Sequence, residues 1–214
     1  MSKKIHSHNS KFFNNVSLLT SYWAGFLAAD GSIDLTNNSV RLRLSNTDME
    51  HVKKFSSDVS YTGKLTFSPK TNSGGVQLYS AHEMMRSLKD TFNITPNKSL
   101  TLQPPNLESY HDDIIKSYII GYIDGDGCIK YVKRDDCLVL DIFSGSKPFI
   151  EWIKQKIEKW YPFIERPIYS YKNGHTYRLN GKVANKVLVD LLKIDIPRLT
   201  RKWNKVIDFN KIKL

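Results

Sequence analysis

The chain has 214 residues, 40% of them hydrophobic, and sets 32 Lys and Arg against 21 Asp and Glu, a formal net charge of +11 at neutral pH. That length allows one large domain or two small ones with a buried core, and no apolar run reaches the roughly 18 residues of a membrane span. The charge excess suits a polyanionic partner, nucleic acid before an anionic membrane, although a basic protein can also be merely soluble.

Residues 1–19 read as a polar arm. Its lysines are followed by no apolar stretch, so it is not a secretory signal, and His6 and His8 read as solvated rather than metal-chelating. A first unit, 20–92, starts with an apolar helix at 20–30. Strands "GSIDLT" and "VRLRLSN" follow around an Asn37-Asn38 turn. Thr47 and Glu50 suit a capping box for the helix "DMEHVKKFSSDV". "KLTFSPK" and "GGVQLYS" make a second hairpin, and Ser80 with Glu83 caps "AHEMMRSLKDTF". Residues 93–111 contain three prolines and read as a linker.

The second unit, 112–197, follows the same order. A helix at 112–124 leads to strands "CIKYVKRD" and "CLVLDIF", then a helix from Pro148 to Trp160 with Ile150, Ile153, Ile157 and Trp160 at helical spacing. "RPIYSYKN" and "HTYRLNG" form the hairpin, "VANKVLVDLLKI" the last helix, and 198–214 a basic tail. Two αββαββα repeats are the economical account, an α+β class with two antiparallel sheets. Cys128 and Cys137 open successive strands, which a hairpin holds apart. They are expected as free thiols in an intracellular reducing compartment, whether bacterial or phage-encoded cytoplasm or an organelle matrix.

Val40, Leu42 and Leu44 alternate with Arg41 and Arg43, Leu65 and Phe67 with Lys64, Thr66, Ser68 and Lys70. Ile129 and Tyr131 alternate with Lys130, and Tyr177 and Leu179 with Arg178. A half-buried strand needs only a solvated outer face. Here the outer positions repeatedly hold side chains that bond phosphates and base edges, and a two-stranded ribbon fits the major groove. Candidate contacts are Ser32, Asp34, Arg41, Arg43, Lys64, Thr66, Ser68, Lys70, Gln77 and Tyr79 in the first unit. In the second they are Lys130, Arg134, Asp141, Tyr169, Tyr171, Lys172, Thr176 and Arg178.

The apolar helices end alike, in "GFLAADG" and "GYIDGDG". Gly25 and Ala29 lie four apart, as do Gly121 and Gly125, so each pair shares a helix face on which two axes can approach closely. Glycine inside a helix costs roughly 1 kcal/mol relative to alanine, which suggests a packing reason for both. Gly31 and Gly127 stand where helices end through a left-handed residue. Asp30 and Asp126 then fall at helix C-termini, where the dipole is already negative and carbonyls lack partners. Bringing two such ends together calls for a cation between them, and hard oxygen donors suit Mg²⁺. The simpler alternative is a pair of surface Asp-Gly turns. A calcium loop at "DGDG" fails because Ile129 occupies the position that needs glycine.

"WAGFLAADG" and "IIGYIDGDG" resemble the signature of the LAGLIDADG homing endonucleases in their single-chain, two-motif form, over roughly residues 20–205. The resemblance implies a saddle of two four-stranded sheets straddling duplex DNA, and Mg²⁺-dependent cleavage of both strands at a long target, with Mn²⁺ substituting. It implies Asp30 and Asp126 as metal ligands, assisted by the carbonyls of Ala29 and Gly125. It offers Lys98 in "TPNKS" and Lys202 in "IPRLTRKW" as catalytic lysines, or else as phosphate-positioning or solvated ones. A polar residue ending the second strand orders active-site water in the family; Asn46 stands there, but Gly145 in the second copy departs from the pattern. The expected partner is double-stranded DNA met by a monomer, without a membrane. The alternatives are a maturase on host intron RNA, a non-cleaving DNA-binding protein, or a basic scaffold. No self-splicing region is seen, which speaks against an intein.

Overall fold

A computed structural model describes residues 6–211. The outermost ends of the expected arm and tail, 1–5 and 212–214, lie outside the described residues.

Ser17 opens the first helix with a reciprocal cap: its hydroxyl accepts from the Thr20 N–H at 3.2 Å, and Thr20 Oγ1 accepts from the Ser17 N–H at 2.9 Å. Helix α1 (Leu18–Asp30) is buried from Thr20 to Ala28, which suits its unbroken apolar run. It is followed by β1 (Gly31–Asp34), β2 (Ser39–Ser45), α2 (Met49–Asp58), β3 (Thr66–Ser68), β4 (Ser73–Leu78) and α3 (His82–Phe92). The order recurs in α4 (Asp112–Asp126), β5 (Gly127–Val132), β6 (Cys137–Ser144), α5 (Lys147–Trp160), β7 (Ile168–Tyr171), β8 (Gly174–Asn180) and α6 (Gly181–Leu192), and α7 (Thr200–Asn210) closes the chain. Each repeat makes one antiparallel sheet, ordered β1-β2-β4-β3 and β5-β6-β8-β7. Period-two side chains divide each sheet: Val40, Leu42, Leu44, Leu138, Leu140 and Ile142 enter the core, while Arg41, Arg43 and Phe143 point away. No helix among the described residues is long and apolar enough to cross a membrane.

The two halves meet along α1 and α4, the most extensive helix–helix contact in the molecule. A Cβ on Gly25 would stand 1.9 Å from the Tyr118 carbonyl oxygen, and one on Gly121 would stand 2.0 Å from that of Tyr22. The reciprocity defines a pseudo-twofold axis between the helices, relating Gly25 to Gly121, Tyr22 to Tyr118 and Ala28 to Asp124. Further along, a Cβ on Gly125 would meet that of Ala29 at 2.2 Å.

Several expectations are corrected. Gly31 and Gly127 are not left-handed: both are extended, with φ of −79° and −89°, and the helices run straight into strands. Glycine is needed there for space, since a Cβ would stand 2.6 Å from the Leu27 oxygen and 2.5 Å from that of Ile123. Neither capping box forms. Thr47 bonds the Ser45 hydroxyl inside a 3₁₀ turn, so Asp48 becomes the N-cap of α2. Ser80 adopts φ +56°, and Glu83 accepts from Ser10 and Asn14 instead. Phe67, on the short edge strand β3, and Tyr131 are exposed rather than core residues. The polar arm is anchored by fully buried Phe13, packed edge-on to Phe92. The linker buries Ile94, Lys98, Leu102 and Leu107. The basic tail is α7, docked through buried Trp203 and Val206.

Candidate active site and nucleic-acid interface

Because α1 and α4 end side by side, Asp30 and Asp126 emerge together. Asp30 Oδ2 lies 3.4 Å from where a side chain on Gly125 would begin. Both carboxylates open to solvent on one side and rest on packed helix ends on the other. Burial of that inner side, then the Asp126 charge, pushes the Asp30 carboxyl up to about 6 against the pull of Lys202 and Lys98. Burial likewise pushes Asp126 up, opposed by Lys98, Lys202 and the Tyr122 hydroxyl.

The two lysines are buried, which rules out the solvated alternative. Lys98 Nζ donates to the Gly31 carbonyl at 2.5 Å. Lys202 Nζ donates to the carbonyls of Ile123, Asp124, Gly125 and Gly127 at 2.9, 2.6, 3.1 and 2.7 Å. Each ammonium therefore sits at the end of the acid-bearing helix that precedes it in the chain, Lys202 on carbonyls of α4 and Lys98 on the Gly31 carbonyl just past α1, meeting the electrostatic need of a C-terminus. Burial lowers both lysine pKa values, opposed at Lys98 by Asp126 and Asp30, and at Lys202 chiefly by Asp124.

The helix carbonyls are thus partly satisfied, while the Asp30–Asp126 repulsion is not. Two carboxylates beside main-chain oxygens form a hard donor set that fits Mg²⁺. Among the described residues no three His, Cys, Asp or Glu gather around a possible metal. A cation here would therefore complete its shell with a carbonyl and water, as Mg²⁺ tolerates and soft metals do not.

The surroundings of the acids differ. Asn46 is exposed at the start of its 3₁₀ turn, near a hollow of about 350 Å³ bounded by Thr47, Asp48, His51 and Arg201. In the second copy the residue just past the strand is glycine for a steric reason: a Cβ on Gly145 would stand 2.3 Å from the Ser99 oxygen, because the turn carrying Lys98 lies on it; in sheet register Gly145 matches Ser45, and Ser146 matches Asn46. Beside Asp126 a cavity of about 250 Å³ is lined by Ala29, Lys98, Tyr122, Phe143 and Ser144.

Sequence reasoning did not assign the buried network behind the acids. Asp124 is 1% exposed and accepts from the Tyr22 hydroxyl (2.8 Å), the Leu199 N–H (2.9 Å) and Trp203 Nε1 (2.7 Å). Tyr22 also bonds His51 Nε2 at 2.7 Å; because its proton goes to Asp124, the imidazole is the donor. Burial holds Asp124 up at about 6 and presses His51 down to about 3. Arg201 forks onto Asp48 at 2.7 and 2.8 Å, joining α7 to the first repeat. The one sequence signal was the mismatch of Ala28 with Asp124.

The sheet register gathers the interface candidates. Arg41 stands between Ser32 and Gln77, and Thr66 and Ser68 share their face; Arg43 bonds Ser73 and Thr71, and Asp34 bonds Asn37. Lys64, Lys70 and Tyr79 are exposed just outside the strands. In the second sheet Lys130, Asp141, Tyr169, Tyr171, Thr176 and Arg178 share one face. Lys172 lies in the β7–β8 turn, and Arg134 pairs with its neighbour Asp135 in the β5–β6 turn.

No protein-family model matches the sequence. An A-type ATP synthase protein of Methanopyrus kandleri is 29% identical over 109 residues, 51% of this chain, which thereby spans about a tenth of that protein's length. Among solved structures, the I-LtrWI LAGLIDADG homing endonuclease bound to target DNA is similar with a TM-score of 0.55 at 12% identity, over 95% of this chain and 90% of that one. The meganuclease I-SmaMI bound to uncleavable DNA gives a TM-score of 0.61 at 10% identity, over 89% and 88%. The N-terminal LAGLIDADG domain of DUF199/WhiA gives 0.54 at 12%, over 96% and 90%. The chain therefore has the LAGLIDADG homing endonuclease fold.

Proposed function

We propose that the protein is a monomeric endonuclease that grips duplex DNA across the outer faces of its two sheets and, with a divalent metal, cuts both strands at a long target. The observation that carries this reading is the convergence of Asp30 and Asp126 at the ends of close-packed helices, each helix capped by a buried lysine. The fold is shared with endonucleases solved on DNA.

Asp30, Asp126 and the Ala29 carbonyl would hold Mg²⁺ or Mn²⁺; the Gly125 carbonyl already accepts from Lys202 and has one lone pair left. When bound, such a cation supplies Lewis-acid stabilisation of phosphodiester charge and acidifies water. The protein's own residues do the rest. The contact of Gly25 and Gly121 with backbone fixes the spacing of the acids. Lys98 and Lys202 hold the helix ends and keep positive charge beside the position of a scissile phosphate. The sheets set the register of the duplex. One acid per repeat matches one per DNA strand, the use of a second copy. Free Cys128 and Cys137 suit an intracellular reducing compartment.

The test is cleavage of a duplex chosen by the protein from a random library. Asp30→Asn and Asp126→Asn are expected to abolish double-strand cleavage in Mg²⁺ and to leave binding nearly intact. Cutting at the parent rate by either variant would exclude the two-acid site. A second reading, a non-cleaving binder of DNA or intron RNA, is favoured by Gly145, which stands just past its strand where the first copy has the exposed amide of Asn46. Selective binding of intron RNA without any cut in selected duplexes would establish it.

A further inference from the structure

The outer faces of the two sheets are chemically unlike. On the first, Ser32, Arg41 and Gln77 form a cross-strand row of hydrogen-bonding groups, and neither Arg41 nor Arg43 forms a salt bridge among the described residues. On the second, the row nearest the acids is Phe143, Thr176 and Tyr169, with Tyr171 paired to Gly174 in the next row. These aromatics lie on a solvent-facing surface yet are 40% (Phe143), 47% (Tyr169) and 62% (Tyr171) exposed. The Phe143 ring rests on Gly174, where a Cβ would come within 2.6 Å of it, so the ring is held in place. The cations on the strands of this face are already engaged, leaving Lys172 in the adjoining turn: Asp141 accepts from Arg178 at 2.5 and 3.2 Å and pairs with Lys130 at 3.3 Å.

A major groove offers donors and acceptors at every base pair and one apolar group, the thymine C5 methyl. An aromatic surface pressed on guanine or cytosine edges would leave dry and unpaired every polar group that the Tyr169 and Tyr171 hydroxyls do not reach. Pressed on thymine methyls, it removes apolar area from water. An unpaired strand stacking on the same rings would bring phosphates to this face, where Lys130 and Arg178 are already held by Asp141.

We infer that the second sheet reads its half of the target through thymine methyl groups beneath Phe143, Tyr169 and Tyr171, whereas the first sheet reads by hydrogen bonds. The inference rests on the duplex-DNA reading above. It makes the two half-sites of the target unequal in composition, with A·T pairs concentrated on the side of the second repeat.

The experiment uses the full chain and its best duplex from a random library, bound without Mg²⁺. Thymines are replaced by deoxyuridine, which deletes the C5 methyl alone, in one half at a time. Affinity is expected to fall about fourfold per contacted methyl in one half and to hold in the other. The combined variant Phe143→Ser, Tyr169→Ser should lose that response while keeping its thermal transition and its preferences in the other half. Arg41→Ala should alter base preference only in that other half. Unchanged affinity with uridine throughout both halves, or equal losses in both, would overturn the inference and leave duplex binding standing. Single strands that outcompete the selected duplex would overturn it in favour of base stacking. Failure to enrich any duplex would remove the duplex reading itself, and this inference with it.

Discussion

The Tyr22 hydroxyl donates to Asp124 Oδ2 at 2.8 Å, whereas Tyr118, its pseudo-symmetric counterpart, has a buried hydroxyl with no hydrogen-bond partner among the described residues. Ala28 stands where a second carboxylate would accept it. The same substitution should therefore have opposite signs at the two positions. Tyr22→Phe is expected to cost roughly 1.5–3 kcal/mol by removing a bond to a buried charge, and Tyr118→Phe to be neutral or slightly stabilising. Urea midpoints compare them directly, and equal losses would refute this account of the axis.

Lys202 serves four carbonyls and Lys98 one. Lys202→Met is therefore expected to destabilise by on the order of 3 kcal/mol, clearly more than Lys98→Met, because buried carbonyls lose their donor. Equilibrium unfolding without metal isolates this structural part from any effect on cleavage. Equal losses in the two variants would show that the three extra carbonyls at Lys202 add no stability.

His51 supplies a pH dependence. Its imidazole is pressed from 6.5 to about 3 by burial among Tyr22, Trp23 and Phe26, with Lys54 adding to the effect. The unfolded chain thus binds the extra proton first as pH falls. The stability contribution of neutral His51 is complete above 6.5 and declines progressively as pH falls from 6.5 toward 3. Asp124, held up at about 6, works in the opposite direction over part of that window. The readout is therefore the difference in urea midpoint between the parent and His51→Gln, which keeps a donor for Tyr22. That difference should change across pH 7 to 4; a constant difference would count against a neutral imidazole.

The crowded acids make stability respond to metal. Mg²⁺ above about ten times its Kd should raise parent stability by on the order of 1 kcal/mol, read as a shift in thermal transition. Asp30→Asn should lose most of that response and, in chelator at neutral pH, melt above the parent, because it removes one of two repelling carboxylates. A variant that melts lower in chelator would mean that Lys98 and Lys202 already neutralise the pair.

Much of this architecture is legible in the sequence because it is written in small residues. Gly25, Ala29, Gly121 and Gly125 make sense only if two helix backbones touch, and the acids follow at the same offset. The illegible parts depend on distant partners. Trp203 and Lys202 look like a basic tail until Asp124, more than seventy residues earlier, supplies their acceptors. Glu83 completes a local capping pattern on paper, yet Asn14 and Ser10 claim its carboxylate. At Gly31 and Gly127 the Asp-Gly pair suggested a left-handed stop, when the glycines yield space to the Leu27 and Ile123 carbonyls. Phe67 obeys the strand alternation but sits on a three-residue edge strand with too little core above it.

The buried network also sets a timetable for synthesis. Asp124 leaves the ribosome long before Leu199 and Trp203, and Asp48 precedes its Arg201 by 153 positions. Until α7 emerges, a carboxylate destined for the interior lacks most of its donors. The helix pair can meet earlier, but it cannot seal. Sealing the core therefore waits for α7 and the Leu199 turn before it, the latch that joins the two nascent repeats.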